Sequence, residues 1–304
     1  MKKSIIWAQI LVVLFLVMSI NSCSKTDDDI PKEEEEETEE IIMLDRPLLG
    51  VQRWDMYSGK GTTQGQELGY KKYETLIKSR GEEGWKEWVQ AYLACMVFVD
   101  DQIGRVVEAL NNSPYSDNTI IVLTSDNGYQ IGEKDIIQKW HLWNESTRIP
   151  LYVSIPNSKE DNLVCNKPVS LIDLYPTLAD ICQLSENPIA HAKSKKFDGK
   201  SLVSLLKSPE GDAWEYRPIL SAVQANTSKI VDDAHFSVID DQYRYTLCLD
   251  GEEELYDHKK DPNEWHNLAK NENYVEIKKS LNKQMKRLLD RYKMMNLSSN
   301  TIVK

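Results

Sequence analysis

The chain has 304 residues, 41% of them hydrophobic, and a formal charge of −11 at pH 7. That is enough apolar material for one large domain or a domain with an appendage, and it excludes a wholly disordered polypeptide. The acidic balance excludes nucleic acid as a partner, which would call for a basic stripe.

The first 23 residues read as a signal peptide. Lys2 and Lys3 precede the apolar run "SIIWAQILVVLFLVMSI", which ends beside Cys23. The string "INSC" resembles a bacterial lipobox, with Cys23 as the lipid-modified residue, and "SKTDDD" resembles a surface-export tag. Residues 24–40 hold ten acidic side chains against Lys25 and Lys32, so 24–45 are expected to form a self-repelling disordered tether. The predicted location is that of an exported lipoprotein on the outer membrane or cell surface, held to the membrane by its lipid.

Residues 46–80 carry Gly50, Gly59, Gly61, Gly65 and Gly69, which break any period and predict loops with a short helix near "YKKYETLIKS". From Trp85 the period sharpens. Val89, Tyr92, Met96, Val99, Ile103, Val106 and Leu110 follow at three- and four-residue steps, predicting one amphipathic helix that ends at Asn111-Asn112 and Ser113-Pro114. "NTIIVLTSD" is an apolar, β-branched run of strand length, suited to a parallel strand buried on both faces. "RIPLYVSIP" predicts a second strand. "SLIDLYPTLADIC" predicts a helix with Ser170 as N-cap, turned or kinked at Pro176.

This order is that of a doubly wound α/β domain over 46–209. Beyond it, 210–304 predicts a small α+β subdomain: "HFSVIDDQYRYTLCL" alternates and turns at "DGEE" before "ELYD", and Tyr274 to Tyr292 form a charged amphipathic helix. Cys95, Cys165, Cys182 and Cys248 have no C-x-x-C spacing, which argues against zinc. Cys95 and Cys182 read as small core residues, and one disulfide among the four is open.

The chemistry concentrates in "TSDNGYQIGEKDIIQKWHLWNESTRIP", Thr124 to Pro150. Ligand sites of open α/β sheets lie beyond the carboxyl ends of the strands. Asp126 and Asn127 stand there with hard oxygen atoms suited to calcium or magnesium, and Gly128 lets the backbone turn away. The alternative for Asp-Asn-Gly is a plain turn. Lys139 could neutralise an anionic oxygen, and His141 could face the same ligand. Glu145 and Arg148 read as a pair across one helical turn or as residues that position the loop, and Asp100 and Asp101 as structural, capping or solvated. His258 and His266 read as packing or surface residues, and Asp257, Asp261 and Glu264 as a turn without chemistry.

The segments "YLACMVFVDDQIGRVVEAL", "NTIIVLTSDNGYQIGEK", "KWHLWNESTRIPL", "SLIDLYPTLADI", "FDGKSLVSLL" and "ELYDHKKDPNEWHNLA" resemble, in order, the C-terminal half of type I sulfatases of the alkaline-phosphatase-like superfamily, nearest the bacterial iduronate-sulfatase-like branch. The resemblance implies a partial alkaline-phosphatase-like sheet and calcium-dependent hydrolysis of sulfated glycans or small sulfate esters. It implies that Asp126 and Asn127 are Ca2+ ligands and that Lys139 contacts the sulfate.

The family's formylglycine arises in Cys- or Ser-x-Pro-Ser-Arg, which occurs nowhere in the 304 residues, and the first histidine is His141. The sequence read as it stands is therefore expected to be truncated, to leave the calcium shell incomplete and a sheet edge open, and to be marginally stable and inactive. The alternatives are a non-catalytic surface lipoprotein that binds sulfated glycan, and a gene fragment without function.

Overall fold

A computed structural model describes residues 9–15, 63–139, 141–158, 163–184, 198–224 and 234–300. Cys23, the tether at 24–45 and all of 46–62 lie outside the described residues. The chain folds as an α/β arrangement with two main sheets. The first has strand order β1-β2-β5, with β1 (Gln9–Phe15), β2 (Thr119–Ser125) and β5 (Leu151–Ser154).

Strand β2 is central, and Thr119, Ile120, Val122, Thr124 and Ser125 are buried in it. β1 lies parallel to it, Gln9 opposite Thr119 through Phe15 opposite Ser125. Within the run read as a signal core, Gln9–Phe15 lie in the sheet and pair β2 along its full length, on the edge expected to stand open. A continuous apolar, β-branched run satisfies either role, so its pattern alone does not choose between them. Strand β5 departs from an all-parallel sheet and pairs antiparallel to β2. Between the two the described residues hold the short hairpin of β3 (Gln130–Ile131) and β4 (Ile137–Gln138), a 3-10 turn at Glu133–Asp135 and the one-turn helix α2 (Asn144–Thr147). A parallel return usually runs through a crossover helix, and the described part of this connection has none longer than one turn.

Helix α1 runs Thr63–Asn111 and breaks at Gly81, which adopts φ 67 and ψ −164, a conformation open to glycine. Its second segment matches the expected helix and ends at Asn111. Its first occupies residues expected to be mostly loop, where Gly65 and Gly69 interrupt the period without preventing helix. The apolar period of α1 is incompletely buried. Trp85 is 9% exposed, whereas Met96 is 51%, Phe98 65% and Val97 72% exposed. Cys95, in the same turn of the helix, is exposed, and Cys182 is half-buried, so neither is the core residue its context predicted. None of Cys95, Cys165, Cys182 and Cys248 is joined in a disulfide among the described residues.

A 3-10 turn at Leu171–Asp173 leads into α3 (Leu174–Ile181). Ser170 caps the turn through a capping box with Asp173, as its position predicted. Pro176 falls within the first turn of α3, where its missing N–H leaves no bond broken. Asp173 is fully buried and accepts bonds from the Ser170 and Lys200 amides and from Arg217. It thereby ties α3 to the segment before α4 (Val203–Lys207) and on to β6 (Ile219–Gln224).

The second sheet is antiparallel, in the order β6-β7-β8-β9, with β7 (Ala234–Ile239), β8 (Tyr243–Leu247) and β9 (Glu253–Asp257). The alternating run read as one strand is two, reversed at Asp240–Gln242, where the Asp240 carboxylate accepts from the Gln242 and Tyr243 amides. The expected turn at "DGEE" holds, with Gly251 at φ 87. Helix α5 (Val275–Asn300) covers the sheet. Val238, Tyr245, Leu255, Ala269, Leu281 and Met285 form its core, each at most 6% exposed.

Candidate active site

The loop leaving β2 carries the expected ligands. Asp126 is exposed and Asn127 half-buried at the carboxyl end of the strand. The Ser125 hydroxyl donates to the Asn127 carbonyl at 2.9 Å, holding the turn. Asn127 Oδ1 is buried and has no hydrogen-bond partner among the described residues, a costly state for a neutral oxygen unless something binds it. Gly128 is required by proximity rather than by a left-handed φ. Its amide donates to Ser146 O at 2.9 Å, and a Cβ there would stand 2.1 Å from the Glu145 carbonyl and 2.9 Å from that of Arg148. Glu145 and Arg148 thus position the loop through their backbones.

Helix α1 holds the same loop from the other side. Tyr129 stacks on Trp88 and Tyr92, with centroids 5.9 and 5.4 Å away. Trp85 Nε1 donates to Ile131 O at 2.8 Å. Between Gly132 and Lys139 three non-glycine residues have left-handed φ: Lys134 (56), Asp135 (56) and Gln138 (110). Such a concentration costs of order 1–3 kcal/mol per residue and persists where surrounding contacts impose it. It delivers Lys139, half-buried and outside every ion pair found among the described residues, to the segment that follows. Asp100 and Asp101 are exposed on α1, as expected.

His141 does not stand open to a ligand. It is 6% exposed and stacks 3.8 Å from Trp143, in a narrow cleft closed by Val223, His235, Thr246 and Glu254. Burial, and then the Lys134 ammonium, push its pKa down to about 3, so it is a neutral imidazole facing the second sheet. Lys134 is buried too, its ammonium 3.9 Å from the Trp143 ring centroid and 4.8 Å from that of Tyr256. Burial pushes its pKa down to about 8, against the pull of Glu264 and Glu254.

The residues that position this stretch come from the C-terminal sheet and the segment after it; the sequence reading gave Glu264 only a turn role and did not single out Arg244 or Glu254. Trp143 Nε1 donates to Glu254 at 2.8 Å, the Asn144 amide to Glu264 at 2.8 Å, and Arg244 to Thr147 Oγ1 at 2.9 Å. Glu264, 1% exposed, also takes bonds from Arg244 Nε and from His258 at 2.7 Å. Burial alone would raise its pKa, but Arg244, the His258 hydrogen bond and Lys134 bring it down to about 2. The available signal was Arg244 within the alternating strand and Glu264 in "DPNEWHNL". Asn267 of the same motif accepts from the Leu255 and Ala269 amides and donates to Glu253 O.

Family comparison decides what this arrangement belongs to. The model described as Sulfatase matches residues 21–184, and that described as N-sulphoglucosamine sulphohydrolase, C-terminal, matches 132–291. The chain belongs to the sulfatase family. A sulfatase of Formosa agariphila is 41% identical over 187 residues, covering 62% of this chain and 33% of that protein. The uncharacterized sulfatase YidJ of Escherichia coli is 30% identical over 207 residues, 66% of this chain and 38% of that one. Among solved structures, a 2-O GAG sulfatase superposes with TM-score 0.59 at 26% identity, over 76% of this chain and 48% of its own. The sulfatase chain described here thus has the alkaline-phosphatase-like fold and spans a third to two fifths of the length of these curated relatives. Sulfate ester hydrolysis is the chemistry of the family.

Among the described residues no three His, Cys, Asp or Glu side chains gather as a metal site. Asp126 and the orphaned Asn127 oxygen offer two donors of the hard type calcium prefers, out of the six to eight it takes. The donor chemistry of these two residues fits the ion.

Proposed function

We propose that this chain carries the sulfate-holding side of a calcium-dependent sulfuric ester hydrolase acting on sulfated glycans or small sulfate esters. The observation that carries the reading is the buried, unpartnered Asn127 oxygen beside Asp126 on the loop after β2. Asp126 and Asn127 would hold calcium, which when bound supplies positive charge to the sulfate oxygens. Lys139 meets the ester's negative charge, and the Gly128 contact and the Trp88–Tyr92–Tyr129 stack hold the loop still while it does so. The similarity to a 2-O GAG sulfatase supports glycan among the substrates.

With calcium present, a monosulfated disaccharide should bind, and Lys139→Ala should weaken binding roughly ten- to a hundredfold, the range of a charge-assisted contact. Unchanged affinity would overturn the assignment. Calcium should raise the melting temperature of the parent chain and leave that of Asp126→Ala unmoved.

A second reading has its own support. These 304 residues contain no Cys- or Ser-x-Pro-Ser-Arg from which formylglycine could form, which favours binding of sulfated glycan without cleavage. Binding without sulfate release marks that outcome. Cys23 in "INSC" supports a lipid anchor at the cell surface, while the pairing of Gln9–Phe15 with β2 supports retention of that stretch in the fold. Fatty-acid labelling of the parent chain and of Cys23→Ser distinguishes the two.

A further inference from the structure

We infer that α5 presents a second binding surface, for a linear polysulfated glycan, along its basic side. Between Val275 and Arg291 the helix carries Lys278, Lys279, Lys283, Lys286, Arg287 and Arg291 against only Glu276 and Asp290, in a chain whose formal charge is −11. The cations fall into two rows at four-residue steps. One runs through Lys278, Asn282 and Lys286, the other through Lys279, Lys283 and Arg287, and each extends along about 12 Å of helix. Together with Glu253 and Asp290 they line a groove of about 500 Å³.

The charges are not all engaged within the protein. Glu253 is held by Lys278 at 2.7 Å and by the Tyr245 hydroxyl at 2.7 Å, and Lys279 pairs with Glu276 at 2.8 Å. Lys283, Lys286 and Arg287 are exposed and take part in none of the ion pairs found among the described residues. The groove therefore offers three cations on one side of a rigid helix, with Asn282 donating to Tyr245 at its floor.

The occupant follows from shape and from what the helix lacks. An anionic membrane would ask α5 for an apolar face to insert beside its lysines. That face, Ile277, Leu281, Met285 and Leu288, is packed onto the second sheet. A straight row of cations fits a chain bearing sulfates at regular intervals, and such polymers bind largely by neutralised charge. None of the residues from Asp126 to Arg148 lines the groove, so polymer held there lies apart from the Lys139 loop. The choice of polymer rests on the sulfate-ester reading above.

The test compares the full chain, Lys139→Ala, and the triple variant Lys283→Gln/Lys286→Gln/Arg287→Gln on immobilised heparin across a salt series. The expected result is retention by the parent and by Lys139→Ala. The triple variant should lose it, with a log–log salt slope smaller by roughly 2 to 3 for three lost contacts. Binding of the monosulfated disaccharide should be untouched in the triple variant. Equal retention of parent and triple variant overturns the surface. Equal, Lys283-dependent retention on duplex DNA or on phosphatidylserine vesicles overturns the glycan assignment. If the disaccharide fails to bind while heparin retention still depends on the triple set, the Lys139 reading falls and the groove stands.

Discussion

Helices α1 and α5 begin from similar material and end in different circumstances. Each carries apolar side chains at helical spacing, and each lies beside a sheet. On α5 the stripe closes completely: Leu281 and Met285 are at most 1% exposed, with Val238, Tyr245 and Leu255 beneath them. On α1 the run "YLACMVFV" is apolar on all sides, which in a soluble protein is the mark of a helix buried all round. Yet the described residues cover only the side that bears Trp85, Trp88 and Tyr92. The C-terminal sheet and helix thus form a closed core, while the N-terminal portion is ordered by a few specific contacts: Trp85 on Ile131, Tyr129 in its aromatic stack, and the seam to the second sheet.

If the seam holds the two portions together, breaking it should cost more than any single change elsewhere. Glu264→Ala strands Arg244 and the Asn144 amide in a buried place and should destabilise by about 3–5 kcal/mol in urea unfolding. A loss under 1 kcal/mol would mean the seam is slack. Next comes the closed core, where Leu281→Ala should cost about 2–5 kcal/mol.

The seam should also respond to acid. His141 stays neutral in the folded chain down to about pH 3, whereas the unfolded chain takes up a proton near 6.5. Stability therefore falls as pH drops through that interval, by up to about 3 kcal/mol between 6.5 and 4.5. His141→Phe should flatten that slope in part, since burial shifts His235 in the same direction. Below 4.5 the Glu264 contribution begins to disappear as well, since its folded pKa lies near 2. The smallest effect belongs to α1: Phe98→Ser should change stability by no more than about 0.5 kcal/mol, as an exposed position does. A larger loss would show that Phe98 is covered in solution.

Much of this was legible from one-dimensional pattern. The second segment of α1, strand β2, the capping box at Ser170 and the charged helix α5 all follow from spacing and caps. Asp126 and Asn127 were placed correctly at a strand end for the same reason. What pattern could not supply was anything decided across distance. The antiparallel return of β5 depends on what does not intervene, and β1 on which of two apolar roles is taken. The burial of His141 was not legible, because nothing in "KWHLW" shows that a second sheet closes over it. Arg244 and Lys134 escaped, and Glu264 was read as a turn residue, because charged residues are expected at surfaces, and only their mutual contacts make burial tolerable.

The seam also fixes an order of events. Trp143 meets Glu254 across 111 positions and Asn144 meets Glu264 across 120. At a synthesis rate of about 5–20 residues per second, the Lys139 stretch leaves the ribosome of the order of ten seconds before its supports exist. Contacts of such long sequence separation close late in folding. The loop that carries Lys139 is therefore among the last parts of the molecule to take shape, and a nascent chain stopped before Glu264 would have every residue of that loop and lack its geometry.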